Sequence, residues 1–399
     1  MLGALIGGLH CAATGATVAA RPACRLVDEV PYDATTGQII VSADLGGTAP
    51  RRFILDTGAY ENYVWTEEAN ALGWKPQGQV VRRDASTSEY VVSHVHGKRV
   101  AIGEAAVPSQ SFATKPRGMR HADGFLGWPV ISPFAVDVDF VAHRLRFWTA
   151  ACDRRRADTV VLPLRFVEGR MPVVDATLAM PKGEPLAATL MVDTGAGATA
   201  IFNTPFVERH GLVGRAPVVV DQQTGSVGGG QSRLGAARAR ELRLAGFALA
   251  RPIVLLGRQG TGTGGNGTFG AEHPWDGVLG CGILSRFHVT IDYPHSRLLL
   301  RPNSRFVEPF RQEIVQMLLA DTAEGPKVVA LRPGGAADRA GLRADDVILA
   351  VAGPHRSPLS GPFSMEAFWE LLRRDGTYAV DVRRGRERHR LTLVVKETL

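Results

Sequence analysis

The sequence predicts a mainly β protein: two duplicated β-rich lobes that form a cleft, followed by a third, C-terminal unit. Three observations carry this prediction. Two different short segments each occur twice within the first three hundred residues, in the same order. Short apolar runs bounded by Gly, Pro, Asp or Asn dominate both copies, as in strands joined by turns. Beyond about Glu313 the pattern changes character. At 399 residues the chain exceeds what one hydrophobic core usually serves, and its 45 glycines and 24 prolines accord with many turns.

The repeat defines the lobes. Phe53 to Ala59 (FILDTGA) matches Leu190 to Ala196 (LMVDTGA) at an offset of 137 residues, and Asp123 to Gly127 (DGFLG) matches Asp276 to Gly280 (DGVLG) at an offset of 153. Beyond the second landmark the copies run without a gap: Ser132 falls on Ser285, Phe134 on Phe287, Asp139 on Asp292, Phe140 on Tyr293, Arg144 on Arg297 and Leu145 on Leu298. The second copy has therefore gained about one loop, and Gly257 to Gly270, rich in glycine and threonine without apolar periodicity, reads as that surface insertion. The first lobe spans 21–151, a polar connector 152–159, the second lobe 160–302 and the C-terminal unit 313–399.

Within the first copy, Gln38 to Ser42, Arg52 to Leu55, Val91 to Val95 and Arg99 to Ile102 read as strands; within the second, Val173 to Leu178, Ala188 to Val192 and Val218 to Val220 do so. Helix is sparse. One short helix is expected after each Leu-Gly landmark, over Pro129 to Pro133 and Gly282 to Arg286.

The first twenty residues carry no charged side chain and hold an apolar stretch from Leu2 to Leu9. They read as a secretory signal cleaved after Ala20, which places the mature chain outside the cytoplasm, in a periplasm or the medium. The charged start usual in such signals is missing, and a misassigned start codon or a tail is the alternative. Export permits Cys24 and Cys152, at the two ends of the first lobe, to pair. Cys281, in an apolar setting, reads as a buried free thiol. No later segment is apolar for long enough to span a bilayer.

Several function classes find no support. The formal charge of +7 comes from scattered arginines with no long basic block, which argues against nucleic acid as a partner. There is no His-Glu-x-x-His or Cys-x-x-Cys spacing, so no metal is expected. His94 and His96 share a strand face and read as solvated. No Gly-x-Ser-x-Gly elbow is present either.

The chemistry lies in the duplicated Asp-Thr-Gly. Apolar residues directly before Asp56 and Asp193 place each carboxylate at the end of a buried strand, and Gly58 and Gly195 allow a tight turn. Two such turns facing each other across a pseudo-twofold axis set the carboxylates within hydrogen-bonding reach. Like charges that close cannot both ionise easily, so one keeps its proton and the other its charge. The charged member can deprotonate a water while the protonated member polarises a carbonyl, giving peptide hydrolysis without a cofactor. Thr57 and Thr194 are expected to brace the turns through their hydroxyls.

These turns make the chain resemble the pepsin-like and, more closely, the retroviral-type aspartic peptidases, over roughly residues 35–302. Phe125, Leu126 and Gly127, with Val278, Leu279 and Gly280, look like that family's second motif, through whose turn the catalytic loop is threaded. The resemblance implies a single-chain, two-lobed endopeptidase acting on extended peptides or unfolded protein. It also implies flap hairpins over Arg82 to Gly97 and Thr224 to Leu234, the latter with Gly228, Gly229 and Gly230 at its tip. Tyr90 either shields the cleft or packs in its strand. A binding protein that keeps the two lobes without cutting peptides is the rival reading; the intact Asp-Thr-Gly in both copies favours the enzyme.

Lys327 to Gly353 resembles the central portion of bacterial PDZ domains, with a Pro-Gly-Gly-Ala-Ala turn into a short helix, then Ala-Gly-Leu and Asp-Asp-Val-Ile. An amphipathic helix over Met365 to Arg374 and strands over Tyr378 to Val382 and His389 to Val395, around an Arg384-Gly385 turn, complete it. The resemblance implies a C-terminal or internal peptide added to a sheet edge. The segment Ile314 to Leu319, where a carboxylate-capturing loop belongs, has no glycine, so docking within the chain or dimerisation stands beside peptide delivery.

Overall fold

The computed structural model describes residues 23–34, 36–46, 49–83, 89–116, 121–150, 152, 156, 158–225, 231–257, 274–310, 317–331, 334–363, 365–372 and 374–396. The expected leader, the insertion beyond Gly257 and the glycines 228–230 lie outside these residues. The chain is mainly β, in four sheets.

A 7-stranded sheet carries the first copy, in the order Ile40–Ala43, Arg51–Leu55, Gly124–Leu126, Asn62–Trp65, Ala105–Lys115, Glu89–Ile102 and Gln77–Arg83. The second copy repeats this order with Met171–Ala179, Leu186–Val192, Gly277–Leu279, Ala200–Phe202, Ile253–Gly257, Gln231–Arg238 and Val218–Gly225, inside a 10-stranded sheet. Two expected strands of the first copy, Val91 to Val95 and Arg99 to Ile102, are one 14-residue strand. Gly97, with φ of 72°, and two register shifts between Val95 and Val100 bend the strand without ending it. Each expected short helix starts one residue early, as Trp128–Ile131 and Cys281–Leu284, because extended Gly127 and Gly280 sit at the N-cap positions.

A third sheet is built from both copies. Its order is Leu26–Pro31, Arg144–Trp148, Ala135–Asp139, Phe287–Asp292, Arg297–Pro302 and Val160–Pro163, three strands from each. At its centre Asp137 lies opposite Thr290, its own counterpart at the offset of 153, and accepts a hydrogen bond from the Thr290 hydroxyl at 2.7 Å. The register is thus symmetric about this pair, and the pseudo-twofold axis passes between the two residues. Alternate residues along these strands, including Val136, Val138, Phe147, Val289, Ile291 and Leu298, point into a single apolar core shared by both copies. Burial of each contributes about 1.5–3 kcal/mol, so the joint between the copies is a true core and not a hinge of loops. The Cys24–Cys152 disulfide ties the two ends of the first copy together beside this sheet.

The C-terminal residues form a separate sheet of Met317–Thr322, Gly325–Leu331, Val347–Ala352, Gly376–Arg384 and Glu387–Val395, with Leu359–Ser360 beside Val347–Ala352. Helices Ala336–Arg339 and Met365–Leu371 pack on it around their own core, which includes Val328, Ile348, Phe368 and Tyr378. The second helix is shorter than expected: the Tyr378 hydroxyl donates to Arg374 O at 2.7 Å, and that carbonyl begins the turn into the next strand. Fully buried Asp346 is held by Arg384 at 2.8 Å through both oxygens and by the Arg343 N–H at 2.9 Å. Of the segment Ile314 to Leu319, the described part belongs to the edge strand Met317–Thr322. Among the described residues no helix is long and apolar enough to cross a membrane.

Candidate active site

Each Asp-Thr-Gly turn is delivered by a buried strand running parallel to its landmark strand. Arg51–Leu55 pairs with Gly124–Leu126, and the Asp56 N–H donates to Leu126 O at 2.9 Å; Leu186–Val192 pairs with Gly277–Leu279, and the Asp193 N–H donates to Leu279 O at 3.0 Å. The landmark glycines let the turns thread past. A Cβ on Gly127 would lie 2.7 Å from Glu61 O, and one on Gly280 would lie 2.7 Å from Ala196 O. Phe125, Leu126, Val278 and Leu279 are buried and serve as packing.

The aspartates that open the landmarks have a function that spacing alone does not reveal. Asp123 accepts from the Arg52 N–H and Asp276 from the Thr189 N–H, both at 2.9 Å, so each ties its landmark to the strand that carries the Asp-Thr-Gly turn. Their recurrence at one place in both copies was the available signal.

The two turns meet on the pseudo-twofold axis and are locked by their threonines. The Thr57 N–H donates to Thr194 Oγ1 at 3.1 Å and the Thr194 N–H to Thr57 Oγ1 at 3.0 Å. Each hydroxyl also donates across to the opposite strand end, Thr57 to Val192 O at 2.7 Å and Thr194 to Leu55 O at 2.5 Å. Each threonine side chain thus bonds to the other copy's turn and strand end. Both are 1% exposed, so these four bonds are shielded from water.

Above this lock the carboxyl groups of Asp56 and Asp193 are hydrogen-bonded to each other. They lie over the opposing glycines: a Cβ on Gly195 would be 2.6 Å from both Asp56 oxygens, and one on Gly58 would be 2.7 Å from Asp193 Cγ. The Gly58 N–H donates to Asp56 Oδ1 at 2.8 Å, while Asp193 Oδ1 accepts from the Gly195 and Ala196 N–H groups at 2.8 and 3.0 Å. Burial, then the charge of Asp193 and the bond to it, hold Asp56 well above the usual carboxylate range, with the Gly58 and Ala59 N–H groups opposing the rise. Burial also raises Asp193, and the Gly195 and Ala196 N–H groups oppose it likewise, but here the bond from Asp56 adds to the opposition by favouring the charged form. Both shifts run against a doubly charged pair and favour the state in which the two carboxyl groups share one proton.

Beneath the turns, the Cys281 thiol donates to Thr194 O at 3.4 Å and is pushed up by burial and then by the nearby carboxylates. Buried Tyr293 is raised for the same reasons. Neither supplies a nucleophile.

Tyr90 pairs through its backbone with Arg82 in the hairpin of Gln77–Arg83 and Glu89–Ile102, which overlaps the span Arg82 to Gly97; its side chain and the residues 84–88 are outside the described structure. In the second copy the hairpin of Val218–Gly225 and Gln231–Arg238 leads to Gly228, Gly229 and Gly230, also outside it. His94 pairs with Glu61 at 3.2 Å and His96 with the Ser111 hydroxyl at 2.8 Å. Among the described residues no group of three or more His, Cys, Asp or Glu is arranged to hold a metal.

The family model for aspartyl proteases matches residues 41–130, a span that contains the first Asp-Thr-Gly turn and the first landmark. No curated protein matches the chain. Among solved structures, aspartic proteinase from Irpex lacteus is 15% identical with a TM-score of 0.48, covering 72% of this chain and 99% of its own. Basic 7S globulin from soybean is 11% identical with a TM-score of 0.42, covering 70% of this chain and 95% of its own.

Proposed function

We propose that the chain is an aspartic endopeptidase that hydrolyses extended peptides or unfolded protein between Asp56 and Asp193. The observation that carries this reading is the pair of hydrogen-bonded carboxyl groups held at fixed separation by the threonine lock. The match of residues 41–130 to the aspartyl protease family supports it.

In the one-proton state, charged Asp193 takes a proton from a water lying between the two carboxyl groups while Asp56 donates its proton to the substrate carbonyl oxygen. The water oxygen bonds to the carbonyl carbon and a tetrahedral diol forms. Asp193, now protonated, passes a proton to the amide nitrogen as Asp56 recovers one from the diol. The C–N bond breaks, acid and amine depart, and the pair again holds one proton. No covalent intermediate forms on the protein.

On this reading an extended substrate lies across the carboxyl pair, between the two hairpins. At the C-terminal PDZ-like unit, the side of Met317–Thr322 that pairs with no other strand among the described residues is the edge where a peptide would add, next to the helix Met365–Leu371. Export is the compartment that suits the Cys24–Cys152 disulfide.

The test is digestion of a peptide library from acid to neutral pH by wild type, Asp56→Asn and Asp193→Asn. The reading expects cutting by wild type alone. Cutting that survives in both variants removes the assignment, and no cutting by wild type at any pH favours a peptide-binding protein that has kept the fold.

A further inference from the structure

The two turns are related by the repeat and locked alike by their threonines, yet among the described residues a side chain of the opposite copy donates to the carbonyl of one turn glycine and not to that of the other. The Gln38 Nε2 group, from the first copy, donates to Gly195 O in the second copy's turn at 2.5 Å. The amide orientation is set by its surroundings, because Gln38 Oε1 accepts from the Thr36 hydroxyl and from His121 Nε2, each at 3.1 Å. With the oxygen facing two donors, the nitrogen faces the carbonyl.

That carbonyl belongs to the Gly195–Ala196 peptide, whose N–H donates to Asp193 Oδ1 at 3.0 Å. One rigid peptide plane is thus held at its oxygen by Gln38 and presents its N–H to the carboxylate. Hydrogen bonding at the oxygen also polarises the N–H and strengthens its bond to a charged acceptor.

Among the described residues the first copy's turn has no equivalent donor. Ile40 lies opposite Ile54 and Val173 opposite Met191, and Ile54 and Met191 correspond in the repeat, so Gln38 corresponds to Met171. Met171 is buried, and its thioether has no proton to give. The neighbouring positions diverge as well. Gly37, with φ of 74°, approaches Gly197 closely enough that a Cβ on it would lie 3.6 Å from Gly197 Cα. Its counterpart Arg170 instead stacks over Trp128 at 5.2 Å and reaches Tyr60 O at 3.4 Å, a brace that leaves the Asp56 carboxyl untouched.

We infer that Gln38 is a positioning residue that makes the two halves of the site unequal, holding Asp193 as the charged member of the pair and leaving the proton on Asp56. The inference rests on the peptidase reading for its catalytic consequence but not for its electrostatic one. The other titratable groups facing the pair do not blur it. Cys281 and Tyr293 are pushed upward by burial and stay protonated, and His121, behind Gln38, is pushed downward by burial and then by Arg52, with Asp33 opposing, so its neutral form is favoured.

The experiment compares wild type with Gln38→Met, which copies the other half's residue, and Gln38→Glu, which keeps the shape and replaces the donor by an oxygen. Carboxyl carbon resonances of labelled aspartate are followed from pH 2 to 9 without substrate, with thermal melts and peptide kinetics on the same samples. Loss of one such bond should raise the lower titration step of the pair by about half to one pH unit. The kcat should fall by about tenfold while KM changes little. Titration steps that stay at their wild-type positions in both variants overturn the inference, whatever happens to the melting temperature, because a merely structural brace would lower stability alone. If the step moves and wild type cuts no peptide, the inference stands and the peptidase reading fails; if wild type cuts and the step does not move, the reverse holds.

Discussion

Replacing Thr194 by valine tests the threonine lock with almost no change in volume. The hydroxyl it removes donates to Leu55 O at 2.5 Å and accepts from the Thr57 N–H at 3.1 Å. Both partners are buried backbone groups at the ends of strands, with no route to water in the folded state. Each left unpaired costs about 1–3 kcal/mol, so the expected loss is about 2–6 kcal/mol, larger than most single substitutions produce. Urea unfolding followed by tryptophan fluorescence, with kcat/KM measured on the same sample, reads both consequences. Because the lock also sets the separation of the carboxyl groups, activity should fall by about 100-fold or more at temperatures where the variant remains folded. Thr194→Ser, which keeps the hydroxyl, should lose far less of either. The reasoning fails if Thr194→Val stays within about 0.5 kcal/mol of wild type, the scatter of ordinary surface changes.

Other expectations follow from the same geometry. Gly195→Ala places a Cβ 2.6 Å from the Asp56 oxygens, so it should abolish peptide cleavage while the far-ultraviolet dichroism stays unchanged; a variant with half of wild-type activity contradicts this. Asp56 is raised in the folded state, so its contribution to stability is fully present below the unfolded carboxylate range and is lost as pH rises through the folded value. Asp56→Asn should accordingly melt near wild type at pH 3 and above it at pH 7, and a lower melting temperature at pH 7 would have the wrong sign. Reducing Cys24–Cys152, which spans 128 residues of sequence, should cost about 4–5 kcal/mol on the loop-closure estimate, seen as an earlier melt with reductant and absent in Cys24→Ser.

What was legible in the sequence was whatever the duplication wrote twice. Asp56 and Asp193, their threonines and glycines, and the two landmarks stand out because identical residues recur in matching contexts, and the structure brings all of them to one axis. The strand order of both large sheets follows from the same repeat. What was not legible depends on residues that differ between the copies or meet only in three dimensions. Gln38 has no copy to announce it, since its counterpart is Met171, and its partner Gly195 lies 157 residues away. The sheet shared by the two copies was hidden for a related reason: its strands alternate normally, and nothing in Asp137 or Thr290 says that they face each other. Gly97 and Lys98 read as a break between strands, whereas the strand bends there and continues, a case of pairing overriding local preference.

The claim on which the account depends is that the site works with one proton shared by Asp56 and Asp193. The dependence of kcat/KM on pH for one defined peptide, from pH 2 to 9, tests it most directly. A single-proton site gives a bell, falling on the acid side as Asp193 is protonated and on the alkaline side as Asp56 loses its proton, with the alkaline limb above the range of an ordinary aspartate. Activity that rises to a plateau and stays there at high pH, where both carboxyl groups are charged, contradicts it.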